Sequence, residues 1–418
     1  MSIVKLKSEN KILSMLKNNI EDKELVELFL NQGEDINQVD ENLNSLLMVS
    51  IQKSYVGISQ VLLERGIDIQ HTNKDGYNAL MIAINEGNLK SVDLLIKYNI
   101  NLNHQDNKGK NSFMFAIELG FLDIAEKLIE HGINIDTKDH DGRSILMWVF
   151  ENGYIDVAKL LIKKGVNLDA RNNTGWTALI WASVNGHKDI VKLLIESGAN
   201  LNIKNIDGWN ALIGAIFKNH YNIVKLLIDN KIVINQEDKY FISALIFSYE
   251  KKYPKLFQLL YESGIQNENI KDKEGNSLLL MAIQLNLESV VKSLLENGTN
   301  INQKKIKNNT ALILATINNN KEMVQLLLEY KPNLDDVNDT GLNALMYASE
   351  EHQSKEIVEL LVNAGANINQ SFNRYEHSTR YKDAGTYSRT ALNLANENKY
   401  KAINEIAEFL REHGAITL

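Results

Sequence analysis

GWTALIWASVNGHKDIVKLLIESGAN, residues 175 to 200, is the stretch from which the architecture follows. Its apolar residues form two short stripes at helical spacing, Leu179, Ile180 and Ala182, then Ile190, Val191, Leu193, Leu194 and Ile195, parted by Asn185-Gly186. Neither helix can stand alone, because an isolated helix in water needs roughly 12 to 15 residues. Each must be held against a neighbour, and the neighbour is a copy. Moving 33 residues downstream gives GWNALIGAIFKNHYNIVKLLIDNK from Gly208, and moving 33 upstream gives GRSILMWVFENGYIDVAKLLIKKG from Gly142.

The register runs through nearly the whole chain, marked by the residue that closes each second helix: Gly33, Gly66, Asn99, Gly132, Gly165, Gly198, Lys231, Gly264, Gly298, Lys331, Gly365 and Gly414. The spacing is 33 or 34 until the last step, so about twelve units fit. A turn glycine opens most units, at Gly76, Gly109, Gly142, Gly175, Gly208, Gly275 and Gly341, where positive φ costs glycine nothing. Asn308 keeps that option and Phe241 does not. Two residues after the turn stands a residue able to cap the first helix, namely Ser45, Asn78, Asn111, Ser144, Thr177, Asn210, Ser243, Ser277, Thr310, Asn343 and Thr390.

A 33-residue period ordered turn, helix, helix resembles the ankyrin repeat family, whose signature is T-P-L-H-x-A. The match is closest at Thr177-Ala178-Leu179-Ile180-Trp181-Ala182 with Gly186-His187, and it extends from about Glu34 to the C-terminus. The resemblance implies an all-α repeat solenoid, a helix-turn-helix-hairpin array that is curved and closed by capping units. The signature proline is mostly alanine here (Ala79, Ala178, Ala211, Ala244, Ala311, Ala344). The signature histidine is mostly Met or Ile (Met81, Met114, Met147, Ile180, Ile213, Ile313, Met346). The family's histidine supports hydrogen bonds between repeats, so its loss implies joints held by apolar packing instead.

The expected organisation is an N-terminal capping segment over residues 1–40, tandem repeats over 41–365, an inserted loop over 366–389 and a C-terminal capping repeat over 390–418. The cap holds two amphipathic helices, near Asn10 to Asn18 and Asp22 to Asn31. The insert follows because Gly365 lies 23 residues from the next turn position, Ser388, where 10 is the rule. Single-residue insertions are read near Gln266 to Asn269 and near Glu351 to Ser354. Asp238 to Ile242 is an altered hairpin, with Phe241 in the turn.

The 418 residues carry a formal charge of −8 and no cysteine. The acidity offers no general attraction for nucleic acid or anionic membranes, and the cysteine count excludes disulfides and thiolate metal sites. No run of 18 apolar residues occurs, and the N-terminus has no apolar stretch of signal-peptide length. The expectation is a cytoplasmic monomer, or one exported without a recognisable signal. The nine histidines are scattered, and no HExxH, GxSxG or Walker motif is present. Neither an enzyme, a cofactor nor a metal site is expected.

In ankyrin arrays partners meet the hairpin tips and the exposed side of the first helices, which together form a concave face. The resemblance therefore implies binding of one or more proteins there, as an adaptor, an inhibitor or immunity protein, or a host-directed effector. By register the middle of that face is apolar, with Trp176, Val184, Ile206, Trp209, Phe217, Tyr240 and Ile242 as partner-binding candidates. Trp148 and Trp181 read as core. A second candidate is the insert, where Arg374, Tyr375, Arg380, Tyr381, Lys382 and Tyr387 interleave basic and aromatic residues. That pattern suits an acidic ligand or nucleic-acid bases, although the chain's net charge disfavours nucleic acid.

Overall fold

The structure, a computed structural model, describes residues 10–235, 239–264, 269–304, 307–350, 354–375, 386–396 and 401–417, without side chains at 373–375, 386–388 and 401–404. Among them are 24 helices in twelve pairs and one two-stranded ribbon. The chain divides into two compact units, Met1–Ile232 and Val233–Leu418.

In the first unit seven pairs follow one another: Lys11–Lys17 with Lys23–Asn31, Leu46–Gln52 with Val56–Glu64, Ala79–Asn85 with Leu89–Lys97, and Ser112–Leu119 with Leu122–Glu130. They continue as Ile145–Glu151 with Ile155–Lys163, Ala178–Asn185 with Lys188–Glu196, and Ala211–Phe217 with Tyr221–Asp229. First helices are short and buried almost all round. In Ile145–Glu151 every residue from Ile145 to Phe150 is buried. Second helices bury one stripe, as Ile190, Val191 and Leu194 do in Lys188–Glu196.

The expected caps form. Ser45, Asn78, Asn111, Ser144, Thr177 and Asn210 each accept from the amide three residues on, at 3.0 to 3.3 Å, a bond worth about 1 kcal/mol. All twelve closing residues are left-handed, including Asn99 (φ 59°), Lys231 (61°) and Lys331 (51°). They end their helices as a C′ glycine would.

The hairpins are built on a side chain the sequence reading passed over. Three residues before most turns stands an Asp or Asn, which typically accepts two backbone amides. Asp106 takes Lys108 and Lys110 at 2.8 Å, Asn172 takes Thr174 at 3.0 Å and Trp176 at 2.8 Å, and Asn205 takes Asp207 at 3.0 Å and Trp209 at 2.8 Å. A second series joins neighbouring repeats. The amides of Asn134, Asn167 and Asn200 donate to the side chains of Asn103, Asp136 and Asp169 at 2.7, 2.8 and 2.9 Å. This corrects the expectation for the joints. Met81, Met114, Met147, Ile180 and Ile213 are buried as anticipated, yet hydrogen bonding between repeats persists, carried by Asn and Asp of the hairpins.

The second unit holds five pairs, Lys239–Glu250 with Pro254–Glu262, Leu278–Gln284 with Glu288–Glu296, Ala311–Ile317 with Lys321–Glu329, Ala344–Ser349 with Lys355–Asn363, and Ala391–Asn396 with Lys401–Glu412. The same devices recur. Asn338 accepts from Thr340 at 2.9 Å and Leu342 at 3.1 Å, and Asn333 donates to Asn302 at 2.8 Å. Ser277 stands at a cap position without a capping bond.

The altered hairpin is a correction. Residues 239–242 are the first turn of the helix Lys239–Glu250, which also takes in Ser243, and Phe241 is only 1% exposed. Phenylalanine resists positive φ and gains more from burial, so the helix starts early and no turn forms over those residues. Asp238 lies outside the described residues, as do 265–268 and 351–353 at the two short insertions.

The insert contributes the ribbon, Phe372–Tyr375 paired antiparallel with Thr386–Arg389. Its base is anchored. Phe372 is buried, and its Cβ lies 3.3 Å from where a Cβ on Gly341 would stand. Gln370 accepts from Asn343 at 2.8 Å and donates to the Asp335 carbonyl at 3.0 Å.

Gly175→Val is expected to cost more than about 1 kcal/mol in urea unfolding, because φ is +80° and a Cβ would meet Asn205 Cα and Ile206 N at 3.0 Å. Gly198→Val meets nothing within 4 Å and should cost less. Phe241→Gly should lose about 3 to 5 kcal/mol, the range for emptying a buried aromatic site; an unchanged midpoint would restore the hairpin reading. Replacing 373–387 with a short Gly-Ser link should leave the melting temperature nearly unchanged, since doubling or halving a loop alters closure by only about 0.6 kcal/mol, whereas Phe372→Ala should lower it.

Candidate functional site

Three register positions build the face of each hairpin and first helix: the residue after the turn, and those six and nine beyond the turn residue, the middle one mostly buried, as Ile82 and Phe115 are. Their identities change along the first unit. Tyr77 meets Phe115 of the next repeat edge-on, with ring centres 5.0 Å apart. Burial, with the carboxylates Asp106, Asp75 and Glu118, pushes the Tyr77 hydroxyl above the usual tyrosine range.

The next step is charged. Lys110 Nζ lies 4.5 Å and the Arg143 guanidinium 4.2 Å from the centre of the Trp148 ring. Lys110 pairs with Glu118 at 2.7 Å. Arg143 pairs with Asp139 at 2.8 Å and Glu151 at 3.5 Å, and Trp148 Nε1 donates to Asp139 at 3.1 Å. Trp148 is therefore core, as expected.

Trp181 is not. It is half-buried and lines an open groove with Trp176, Val184, Met147, Arg143 and Glu151, and its ring stacks on His187 at 5.1 Å. The register explains the difference. The residues corresponding to Lys110 and Arg143 are Arg143, already held over Trp148, and Trp176, which is no cation. One repeat further the equivalent residue is Gly214. A Cβ there would come within 2.5 Å of Val184 Cγ2, so the missing side chain makes the seat into which Val184 packs.

Of the seven residues read as partner-binding, Trp176, Val184, Ile206, Trp209 and Phe217 lie in the first unit. Trp209 stacks on Phe217 with centres 5.0 Å apart and planes at 12°. Ile206 is 68% exposed at the hairpin tip. Tyr240 and Ile242 belong to the second unit, half-buried in the first turn of Lys239–Glu250 rather than on a hairpin. In the insert, Arg374 pairs in register with Tyr387 and Tyr375 with Thr386; Arg380, Tyr381 and Lys382 lie outside the described residues.

Among the described residues no group of three or more His, Asp or Glu is placed to hold a metal ion. Three histidines tie repeats together: His71 Nε2 donates to the Leu43 carbonyl and His104 Nε2 to that of Gly76, both at 2.7 Å, and His220 Nε2 to that of Val184 at 3.1 Å. The first two acceptors are turn residues one repeat earlier, a role the 33-residue spacing of His71 and His104 could have suggested. No described helix is long and apolar enough to cross a membrane.

The family model for ankyrin repeats in sets of three copies matches residues 13–106, 47–139, 113–205, 146–238, 198–273 and 278–371. A search of the curated proteins gives no significant match. Solved structures similar to this chain include the ankyrin repeat domain of Bcl-3, described as a unique member of the IkappaB protein family. It is 22% identical, covering 52% of this chain and 99% of that one, with a TM-score of 0.47. Because the repeat model covers well over half of the sequence, in the register that the hairpins and paired helices also follow, the chain belongs to the ankyrin repeat family.

Proposed function

We propose that this protein is a non-enzymatic recognition module that holds a protein partner on the hairpin and first-helix face of its first unit. Ankyrin repeats are in general modules for protein–protein interaction. The observation that carries the reading is the contiguous half-open aromatic strip, where the groove lined by Trp176, Trp181 and Val184 adjoins the repeat bearing the stacked Trp209 and Phe217 and the exposed Ile206. Large aromatic side chains left partly open to water in one patch are the usual anchors of interfaces. An adaptor, an inhibitor or immunity protein and a host-directed effector would all use such a face.

The test is the double variant Trp176→Ala/Trp209→Ala, assayed against the partner obtained by affinity capture. Truncating interface anchors costs 2 kcal/mol or more, so affinity is expected to fall by about thirtyfold or greater while melting is nearly unchanged. Binding retained by the folded fraction, with a large drop in melting temperature, would assign the rings to holding the hairpins together.

A further inference from the structure

Trp148 and Trp181 occupy the same register position 33 residues apart, and the chain treats them differently. Two of its own cations lie over Trp148, at 4.5 and 4.2 Å, backed by the carboxylates of Glu118 and Glu151. No cation of the described chain lies over Trp181 or Trp176, and neither indole N–H has an acceptor among the described residues. Arg143 reaches the same groove but is spent: Asp139 at 2.8 Å, Glu151 at 3.5 Å and Asp141 at 3.8 Å surround its guanidinium. Glu151 is the one carboxylate that lines the groove itself, beside Arg143. The Glu151 side chain remains 47% exposed and is free to take a second partner.

Resting on the partner face proposed above, we infer that the groove receives an arginine side chain of the partner protein, carried next to an apolar residue. The arrangement at Trp148 is the chain's own version of the contact. In the bound state the guanidinium lies on Trp176 and on the part of Trp181 that lines the groove, which His187 does not cover, and donates to Glu151, while the apolar neighbour rests on Val184. Arginine fits better than lysine because its planar guanidinium stacks on aromatic rings and is more weakly hydrated. An acidic side chain would meet Glu151 and be repelled. The formal charge of −8 on the whole chain likewise favours a cationic partner.

The test is selection of short random peptides on the intact protein, followed by affinity measurements on the enriched sequences. Arginine should be enriched at one position beside an apolar residue. Replacing it by citrulline, its neutral analogue, should weaken binding about tenfold or more, as should Glu151→Gln and Trp181→Ala in the protein. Glu151→Gln is a surface change that leaves the rings in place, so it reports on the contact even if Trp181→Ala unfolds. On titration the indole NMR signals of Trp176 and Trp181 should move and that of Trp148 should not. Apolar peptides without arginine, lost in Trp176→Ala but indifferent to Glu151→Gln, would overturn the arginine assignment and leave the partner face standing. Peptides that ignore Trp176→Ala, Trp181→Ala and Trp209→Ala together would overturn both. A selection that returns no arginine-bearing sequence also sinks the inference.

Discussion

The hairpins depend on one short side chain, the Asp or Asn placed three residues before most turns. Burial of first helices such as Ile145–Glu151 supplies most of the driving force, but it is non-directional and cannot by itself set where one repeat sits on the next. The Asp or Asn that accepts two hairpin amides does. Asp106 and Asn205 are buried with both bonds made, and Asp139 is buried accepting the Arg143 amide and the Arg143 and Trp148 side chains; a buried polar group left unpaired would cost about 1 to 3 kcal/mol. Each hairpin is thereby held in one shape, and its backbone can meet the neighbouring hairpin, as Ile206 N does at the Thr174 carbonyl at 3.1 Å. The ladder from Asn167 to Asp136 and from Asn200 to Asp169 repeats the same logic across the joints.

Departures from this rule show what it requires. Where Phe replaces the turn residue at 241, the chain does not strain a hairpin into place; it lengthens a helix and buries the ring. Where Asn308 or Leu43 replaces glycine, positive φ is kept at 58° and 61°. Asparagine tolerates that conformation readily, and at Leu43 the turn is held by Asp40, which accepts from Asn42 and Asn44 at 2.9 and 2.8 Å. The side chain lost matters less than whether the local hydrogen bonds can still close.

The candidate site arises from small inequalities between copies. Trp148 and Trp181 are the same residue in the same slot, yet one is sealed by Lys110 and Arg143 and the other is open. Gly214, in the slot after them, lets Val184 settle and shapes the floor beside Trp181. A repeat fold makes such differences cheap, because each unit touches mainly its neighbours and an exchange at an outward position need not disturb the stack.

The repeats, their register, the caps at Ser45 to Asn210 and the turn glycines were legible in the sequence because they rest on local rules: helical spacing, capping chemistry and the tolerance of glycine for positive φ. The family was legible for the same reason, since it is defined by that period. The aromatic strip could be read as far as its register reached, which brought out Trp176, Trp209 and Phe217. What only the tertiary structure decided are the pairings between repeats: that Arg143 turns back onto Trp148 and leaves Trp181 open, that His71 and His104 donate to turns one repeat earlier, and that Phe241 enters a core. Those outcomes depend on which side chain reaches a shared space first, a competition among residues about 30 positions apart that no local spacing records.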